Sequence, residues 1–433
     1  MALGGGIFLG QNKTLPGSYI NFVSLARIGA ALSERGTAAF ALEMDWGIED
    51  RVFTVTNEEF IKNAVSIFGY DYADEKMKGI RELFRNAQTL YGYRLGGQGA
   101  VQAACEYGDA KYGGERGNDL SVVITVSEGR YTVQLLLDGV QVDSQTVTSA
   151  AGLRDNEFVI WKSDAVLKAT AGIHFTGGEN SDINVSSYQR FLDRIENYPV
   201  NAIGVCSEDP KVNTLFAQFA KNIRDKIGVK LQCVLFNHDA DHEGIVNVKN
   251  PVLDFDVNKA SLVYWVTGII AGCAVNKSNL NKVYDGEYRI FADYTQNQLE
   301  GAIKSGEFVL HKVGDSLRVL ADINSLTTVS DEKGEVFQDN QTIRVIDQIS
   351  GDIAALFNNK YLGNVANDDA GRVSLWADIV KHHEDLARIR AIENFSDEDV
   401  EVLAGDDKRS VVVKNRINIV NAMAQVYMTC VIA

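Results

Sequence analysis

The stretch Val200–Phe236, VNAIGVCSEDPKVNTLFAQFAKNIRDKIGVKLQCVLF, decides the fold class. It opens on an apolar run, Val200 to Cys206, followed by Asp209-Pro210, which supplies a helix cap and a first-turn proline. Leu215, Phe216, Phe219 and Ile223 then recur at helical spacing, the pattern stops before Gly228, and Lys230 to Phe236 reads as a second strand. Strand, helix and strand within 37 residues form a βαβ unit, in which the helix carries the chain back and leaves the two strands parallel.

The same alternation runs upstream. Thr37 to Glu43 and Arg51 to Thr56 read as strands around the turn Asp45-Trp46-Gly47. Asn57 is positioned to cap a helix with Phe60, Ile61, Ala64, Val65 and Phe68 on one face and Gly69 at its end. A helix over about 74–85 leads to a strand near 89–95. From Asp119 to Gly178 the period changes to two: Leu120, Val122, Ile124 and Val126 alternate with polar positions, Ser127-Glu128-Gly129 turns the chain, and Asp138-Gly139 is a strong hairpin signal. This is an all-β domain inserted into an α/β one.

Downstream, Phe308 to Leu320 reads as a hairpin folded at Gly314-Asp315. A helix over about 341–359 places Ile343, Ile346, Ile349, Ile353 and Phe357 on its expected buried stripe. A second helix, about 369–392, turns Val373, Trp376, Val380 and Ala387 to one side and a dense polar face to the other. The expected class is therefore multidomain, α+β with mixed α/β parts. The expected division is an N-terminal arm (1–22), a discontinuous α/β domain (23–98 and 181–289), an inserted β-rich domain (99–180), an α+β C-terminal domain (290–419) and a C-terminal arm strand (420–433).

Both ends read as segments that pair with another chain. Ser410 to Ala433 is rich in Val, Ile and Thr and lacks Pro and Gly, so left exposed it would present an unpaired strand edge. The first 23 residues mix Gly with Ile7, Phe8 and Leu9 and turn at Pro16-Gly17, as an extended arm does.

A net charge of −16 and a pI near 4.9 argue against nucleic acid as a partner, because phosphate binding needs clustered Lys and Arg. Five cysteines lie far apart, mostly in apolar runs, and read as buried reduced thiols. No signal peptide is apparent. Ala260 to Ala274 is only 15 residues, short of the roughly 20 that span a bilayer, and reads as a buried helix, so no stable membrane insertion is expected.

Catalytic signals are weak. His238-Asp239-Ala240-Asp241-His242-Glu243 offers imidazoles and carboxylates for a divalent metal, but it follows a strand and ends at Gly244, which favours a solvated loop. His382-His383 falls on the polar face of a helix and reads as a solvated pair. Neither a phosphate loop nor a Gly-x-Ser-x-Gly elbow is present. No catalytic residue, metal ligand or cofactor is expected. A metal-dependent hydrolase on the α/β domain and a ligand-binding protein using the inserted β-domain stand as the alternatives.

Five blocks in order carry a resemblance. They are Gly10 to Phe22 (GQNKTLPGSYINF), Arg35-Gly36 through Asp45-Trp46-Gly47, Phe68-Gly69 at the end of the first long helix, Ala110 to Asn118 (AKYGGERGN), and Ala422-Met423 to Tyr427-Met428-Thr429. Together they resemble contractile phage tail sheath proteins, nearest to those of Gram-positive bacterial phages, defective prophages and tail-like particles such as bacteriocins. The resemblance implies a non-enzymatic virion subunit, assembled in the host bacterial cytoplasm. It would stack in six-fold rings as a helical sheath around an inner tube, with baseplate and tail terminator proteins as further partners. It implies linking strands carrying Leu3, Ile7, Phe8 and Leu9 at one end and Val426, Tyr427, Met428, Val431 and Ile432 at the other. By position it also implies a tube-facing helix presenting Asp378, Lys381, Glu384, Asp385 and Arg388.

Overall fold

The computed structural model describes residues 32–331 and 333–432. Strand β1 (Thr37–Glu43) is buried on both faces, Ala38, Phe40 and Leu42 pointing into one apolar cluster and Ala39 and Ala41 into another. β2 (Val52–Thr56) leads directly into α1 (Asn57–Phe68). Thr56, not Asn57, caps this helix, in a reciprocal capping box with Glu59, and Gly69 ends it in the left-handed conformation (φ 79°). A 3₁₀ turn and α2 (Lys78–Phe84) precede β3 (Thr89–Leu95).

The insertion follows. β4 (Gln102–Ala104), β5 (Gly108–Gly113), β6 (Leu120–Ser127), β7 (Arg130–Leu137), β8 (Val140–Val147), β9 (Val159–Trp161) and β10 (Thr170–His174) form two antiparallel sheets, ordered β4-β5-β9 and β10-β6-β7-β8. Both tight hairpins place two successive residues at positive φ, Glu128-Gly129 and Asp138-Gly139, as a primed two-residue turn requires. Leu120, Val122, Ile124, Val133, Leu135 and Leu137 face one core.

The α/β pattern resumes with α3 (Val185–Ile195), β11 (Ala202–Gly204), α4 (Pro210–Asn222), β12 (Gln232–Phe236), β13 (Ile245–Val248), α5 (Leu262–Gly272), α6 (Gln296–Lys304) and β14 (Glu307–Phe308). The seven-stranded sheet has the order β14-β13-β12-β11-β1-β3-β2, parallel except for β2. Helices α1, α2 and α5 cover one face and α3 and α4 the other. Parallel pairing of β11 with β12, and Asp209 accepting from Lys211 N at the cap of α4, bear out the reading of the opening stretch. The sheet continues past residue 289, where the sequence reading divided the chain: β14 pairs with β13, and the hairpin β15 (Leu310–Val313)–β16 (Ser316–Val319) buries Leu310 and Val319 in the same core. A two-residue strand carries no periodic signature.

The chain divides into two compact units, a larger one of residues 34–347 and 420–433, and a smaller one that includes Ser33 and Gln348–Ile419. Helix α7 (Asn340–Leu356) contributes to both. Its buried positions mix apolar and polar residues: Ile343 of the expected stripe is buried with Val345, Gln341 and Arg344 in the larger unit, Gln348 and Asp352 are buried in the smaller, and Ile346, Ile349, Ile353 and Phe357 of the stripe are only half-buried. Fully buried Arg344 pairs with Asp322 at 2.7 Å. The smaller unit adds α8 (Asp369–Arg388), β17 (Ile392–Glu393), β18 (Val400–Ala404), β19 (Val411–Asn415) and β20 (Asn418–Ile419). In α8 the buried stripe is Leu375, Ile379, Val380, His382, His383 and Leu386; Val380 is inside as expected, whereas Val373, expected on the same side, is 61% exposed.

Candidate assembly surfaces

β18 and β19 pair with each other from Val400↔Asn415 to Ala404↔Val411, and among the described residues neither has a second strand beside it. Leu403, Val412 and Val413 on this ribbon are exposed. A two-stranded ribbon is marginal by itself; here α8 supports it, with Trp376 Nε1 donating to Val400 O at 3.0 Å. Further on, Gln341 Nε2 donates to Val420 O and Ala422 N donates to Gln341 Oε1, both at 2.9 Å. Beyond Ala422 the described chain forms no helix or strand, and Val426, Tyr427, Met428, Val431 and Ile432 are each at least 81% exposed. Leu3, Ile7, Phe8 and Leu9 lie outside the described residues.

The five α8 residues separate. Lys381, Glu384 and Arg388 are exposed on one face and continue the line begun by Val373 and Ala377. Asp378 turns aside, held by Lys360 Nζ at 2.5 Å and by the Tyr361 hydroxyl, and Asp385 is half-buried beside Arg388 at 2.8 Å.

His382 and His383 are fully buried, contrary to the solvated pair expected. Asn415 Nδ2 donates to His383 Nε2 (2.6 Å), so the His383 proton sits on Nδ1 and faces His382 Nδ1 (3.2 Å); His382 Nε2–H then donates to Asp352 (2.9 Å). Asp352 also accepts from Gln348 Nε2 at 2.8 Å and from Ser33 N at 3.3 Å. Burial, then the neighbouring His382, pushes His383 down to about 4. The chain of bonds ties α7 and α8 to the end of β19.

The His238–Glu243 segment is irregular, as expected, but His242 and Glu243 are buried. Asp225, His242 and Glu243 bring one ligand atom each within 4.8 Å of one another. The donor set does not fit a metal ion. Gly244 N–H points at His242 Nδ1 (3.0 Å), which places the ring proton on Nε2, the atom that faces Asp225 at 3.1 Å. Glu243 is paired instead with Lys333 at 2.8 Å, and Arg224 neutralises Asp347 alongside at 2.7 Å. Asp241 binds the loop opposite, accepting from the Thr328 hydroxyl and both the Thr327 and Thr328 backbone N–H groups, which holds its carboxyl far below the usual range.

Arg116, which the sequence analysis places only within the Ala110–Asn118 block, anchors the insertion. Its Nε donates to Gly69 O at 2.8 Å, its other nitrogens grip Asp138 and Asp119, and its plane lies 4.3 Å from the Tyr70 ring centroid. Asn118 exchanges two hydrogen bonds with Gly178, closing the base of the insertion. Trp46, from the α/β segment, is buried in the insertion's core against Tyr112 and Phe158. Residues at the base of an insertion have no periodic pattern; only the Gly-Gly-Glu-Arg-Gly-Asn run hinted at a constrained backbone.

Exposed strand edges, an unpaired apolar terminal segment and a donor set closed to metal define a subunit built to assemble. Family models agree: residues 35–95 match the N-terminal region of domain III of the tail sheath protein Gp18, residues 182–325 the phage tail sheath central domain, and residues 332–433 the phage tail sheath C-terminal domain. The chain belongs to the phage tail sheath family and is a structural sheath subunit, a component of the virion tail. It is 32% identical to the sheath tail protein of Desulfitobacterium hafniense, with 95% of this chain and 99% of that one covered and a TM-score of 0.82. It is 28% identical over 463 aligned residues to XkdK of the phage-like element PBSX of Bacillus subtilis, 98% of each chain being covered. At 12% identity, the helical sheath of the anti-feeding prophage in its contracted state shares the fold, with a TM-score of 0.57 over 97% of this chain and 99% of that one. No described helix is long and apolar enough to cross a membrane. Four of the cysteines are buried or half-buried, but Cys430 in the terminal segment is exposed.

Proposed function

We propose that this subunit stacks in six-fold rings as a helical sheath around an inner tube, and that the sheath shortens and widens on a signal from the baseplate to drive the tube through a cell envelope. The subunit catalyses no reaction, and it assembles in the host cytoplasm with tube, baseplate and terminator proteins. Linkage comes from strand addition: the segments carrying Leu3 to Leu9 and Val426 to Ile432 pair with edges such as those of β18 and β19 in neighbouring subunits. Backbone hydrogen bonds fix register while the domains remain free to rotate, so the mesh survives contraction. The extended form is then kinetically trapped, and contraction is driven by new contacts between subunits. The inserted β-domain projects outward, and the Lys381–Glu384–Arg388 face of α8 turns toward the tube.

The observation that carries this reading is the terminal segment, whose large apolar side chains find no cover among the described residues. Negative-stain microscopy of concentrated full-length protein beside a chain lacking 421–433 tests it. Hollow striated tubes from the first and folded single particles from the second are expected. Tubes of normal length from the truncated chain would sink the strand-addition mesh.

A further inference from the structure

Phe255 is 87% exposed, more than any other large apolar side chain described outside the terminal segment. Its loop is firmly held. Val252 N donates to Lys259 O (3.0 Å), Leu253 N to Arg289 O (2.8 Å), and Asp254 accepts from Arg289 N (2.8 Å), while Asp256 makes the tip at φ 54°. A pre-positioned aromatic with no intrachain contact surface is the form that interface anchors take.

The smaller unit carries a matching receptor. A groove of about 430 Å3 is floored by Tyr361, Leu362, Val365, Leu375 and Val411. Its charged lining is Arg372, Lys408 and Arg409, with no acidic residue among them, in a chain whose net charge is −16. Lys408 and Arg409 form no ion pair among the described residues. Such a groove selects an apolar group beside a free carboxylate, and Asp256 follows Phe255 at the loop tip, whereas Asp254 on the other side is taken up by Arg289. Loop and groove are different patches, so a loop-to-groove contact between copies is heterologous, the kind that propagates as an open helix rather than closing as a dimer.

We propose that Phe255 of one copy seats in the Leu362–Val411 groove of another, with Asp256 facing Lys408 and Arg409. This rests on the helical-sheath reading and adds to it a lateral contact separate from the terminal strands. The test is thiol cross-linking with a short bismaleimide of full-length Leu253→Cys, at an exposed position beside the intact Phe255, mixed with full-length Ala366→Cys at the exposed lining of the groove, each also treated alone and beside wild type to subtract the native cysteines. A dimer specific to the mixture is expected, lost when the second chain also carries Lys408→Glu and Arg409→Glu. Phe255→Asp, at an exposed position that leaves the monomer folded, should raise the concentration needed for tubes about tenfold or more, and Phe255→Tyr should restore it. No mixed dimer, or tubes from Phe255→Asp at the wild-type concentration, overturns the contact and leaves the sheath reading standing. A mixed dimer from a chain that forms no tubes, even with its inner tube present, counts against the sheath reading instead.

Discussion

The central sheet and the terminal segment are made of the same residues and meet opposite fates. Val234, Val246 and Val248 are fully buried between helices of their own chain, whereas Val426 and Val431 are each 90% exposed. Hydrophobicity and β-propensity therefore do not say whether a strand serves the fold or the assembly. What distinguishes them is supply: β12 and β13 sit among parallel neighbours with α4 and α5 on their faces, while among the described residues no element covers Met423 to Ile432.

The sharpest break in that comparison is one substitution made in both places. Val234→Asp puts an unpaired carboxylate in a dry core and should cost more than about 4 kcal/mol, enough to prevent folding. Val431→Asp should leave the melting temperature of the monomer unchanged and abolish tubes. Thermal unfolding and electron microscopy of the two variants read both outcomes; a Val431→Asp chain that unfolds early would mean the segment serves the fold after all.

Charges sharpen it next. Arg344 is fully buried and held by Asp322 at 2.7 Å and by Lys277 O at 3.1 Å. Arg344→Ala strands that carboxylate and should cost about 3–5 kcal/mol. Arg388, whose side chain is 75% exposed beside Asp385, should cost less than about 1 kcal/mol on the same change. Denaturant midpoints at constant slope would measure the difference.

Where the sequence was misread, polar residues lie inside. Both halves of the opening βαβ unit, the paired hairpins of the insertion and the Gly69 stop announce themselves through apolar period and turn chemistry. Helices α7 and α8 do so less fully, because their buried stripes also include Gln341, Arg344, Gln348 and Asp352, which a count of apolar side chains passes over, and His382 and His383, which were read as a solvated pair. These groups are inside because each finds a partner distant in sequence, and such pairing leaves no local period. The apolar character of the terminal segment, which leaves Val426 to Ile432 exposed, was legible for the converse reason: its signal is purely local. The anchoring role of Arg116 depends on Gly69 and Asp138 meeting in space, and nothing in the chain order records that.

The histidine chain gives the smaller unit its own pH dependence. Unfolded His383 takes up a proton below its ordinary value of 6.5, while the folded form resists until about 4. Between these values the unfolded state binds more protons, so stability falls as the pH is lowered, with a limiting slope of about 1.4 kcal/mol per pH unit. Burial also holds His238, His242 and His311 low, so the measurement is the difference between wild type and His383→Gln across pH 4–7. Parallel curves would show that His383 is not the group responsible.

The smallest effect on folding should accompany a clear effect on assembly. Lys381 and Glu384 are exposed on the outer line of α8 and make no ion pair among the described residues. The double exchange Lys381→Glu with Glu384→Lys keeps the net charge and should change monomer stability by less than about 0.5 kcal/mol. If that face meets the tube through complementary charge, the exchange inverts the local pattern at the contact, weakening co-sedimentation with the tube protein most at low salt and less as screening rises. Sheath that binds its tube equally well at every salt concentration would move the tube contact elsewhere on the smaller unit. The α8 line would then be left facing solvent or another copy.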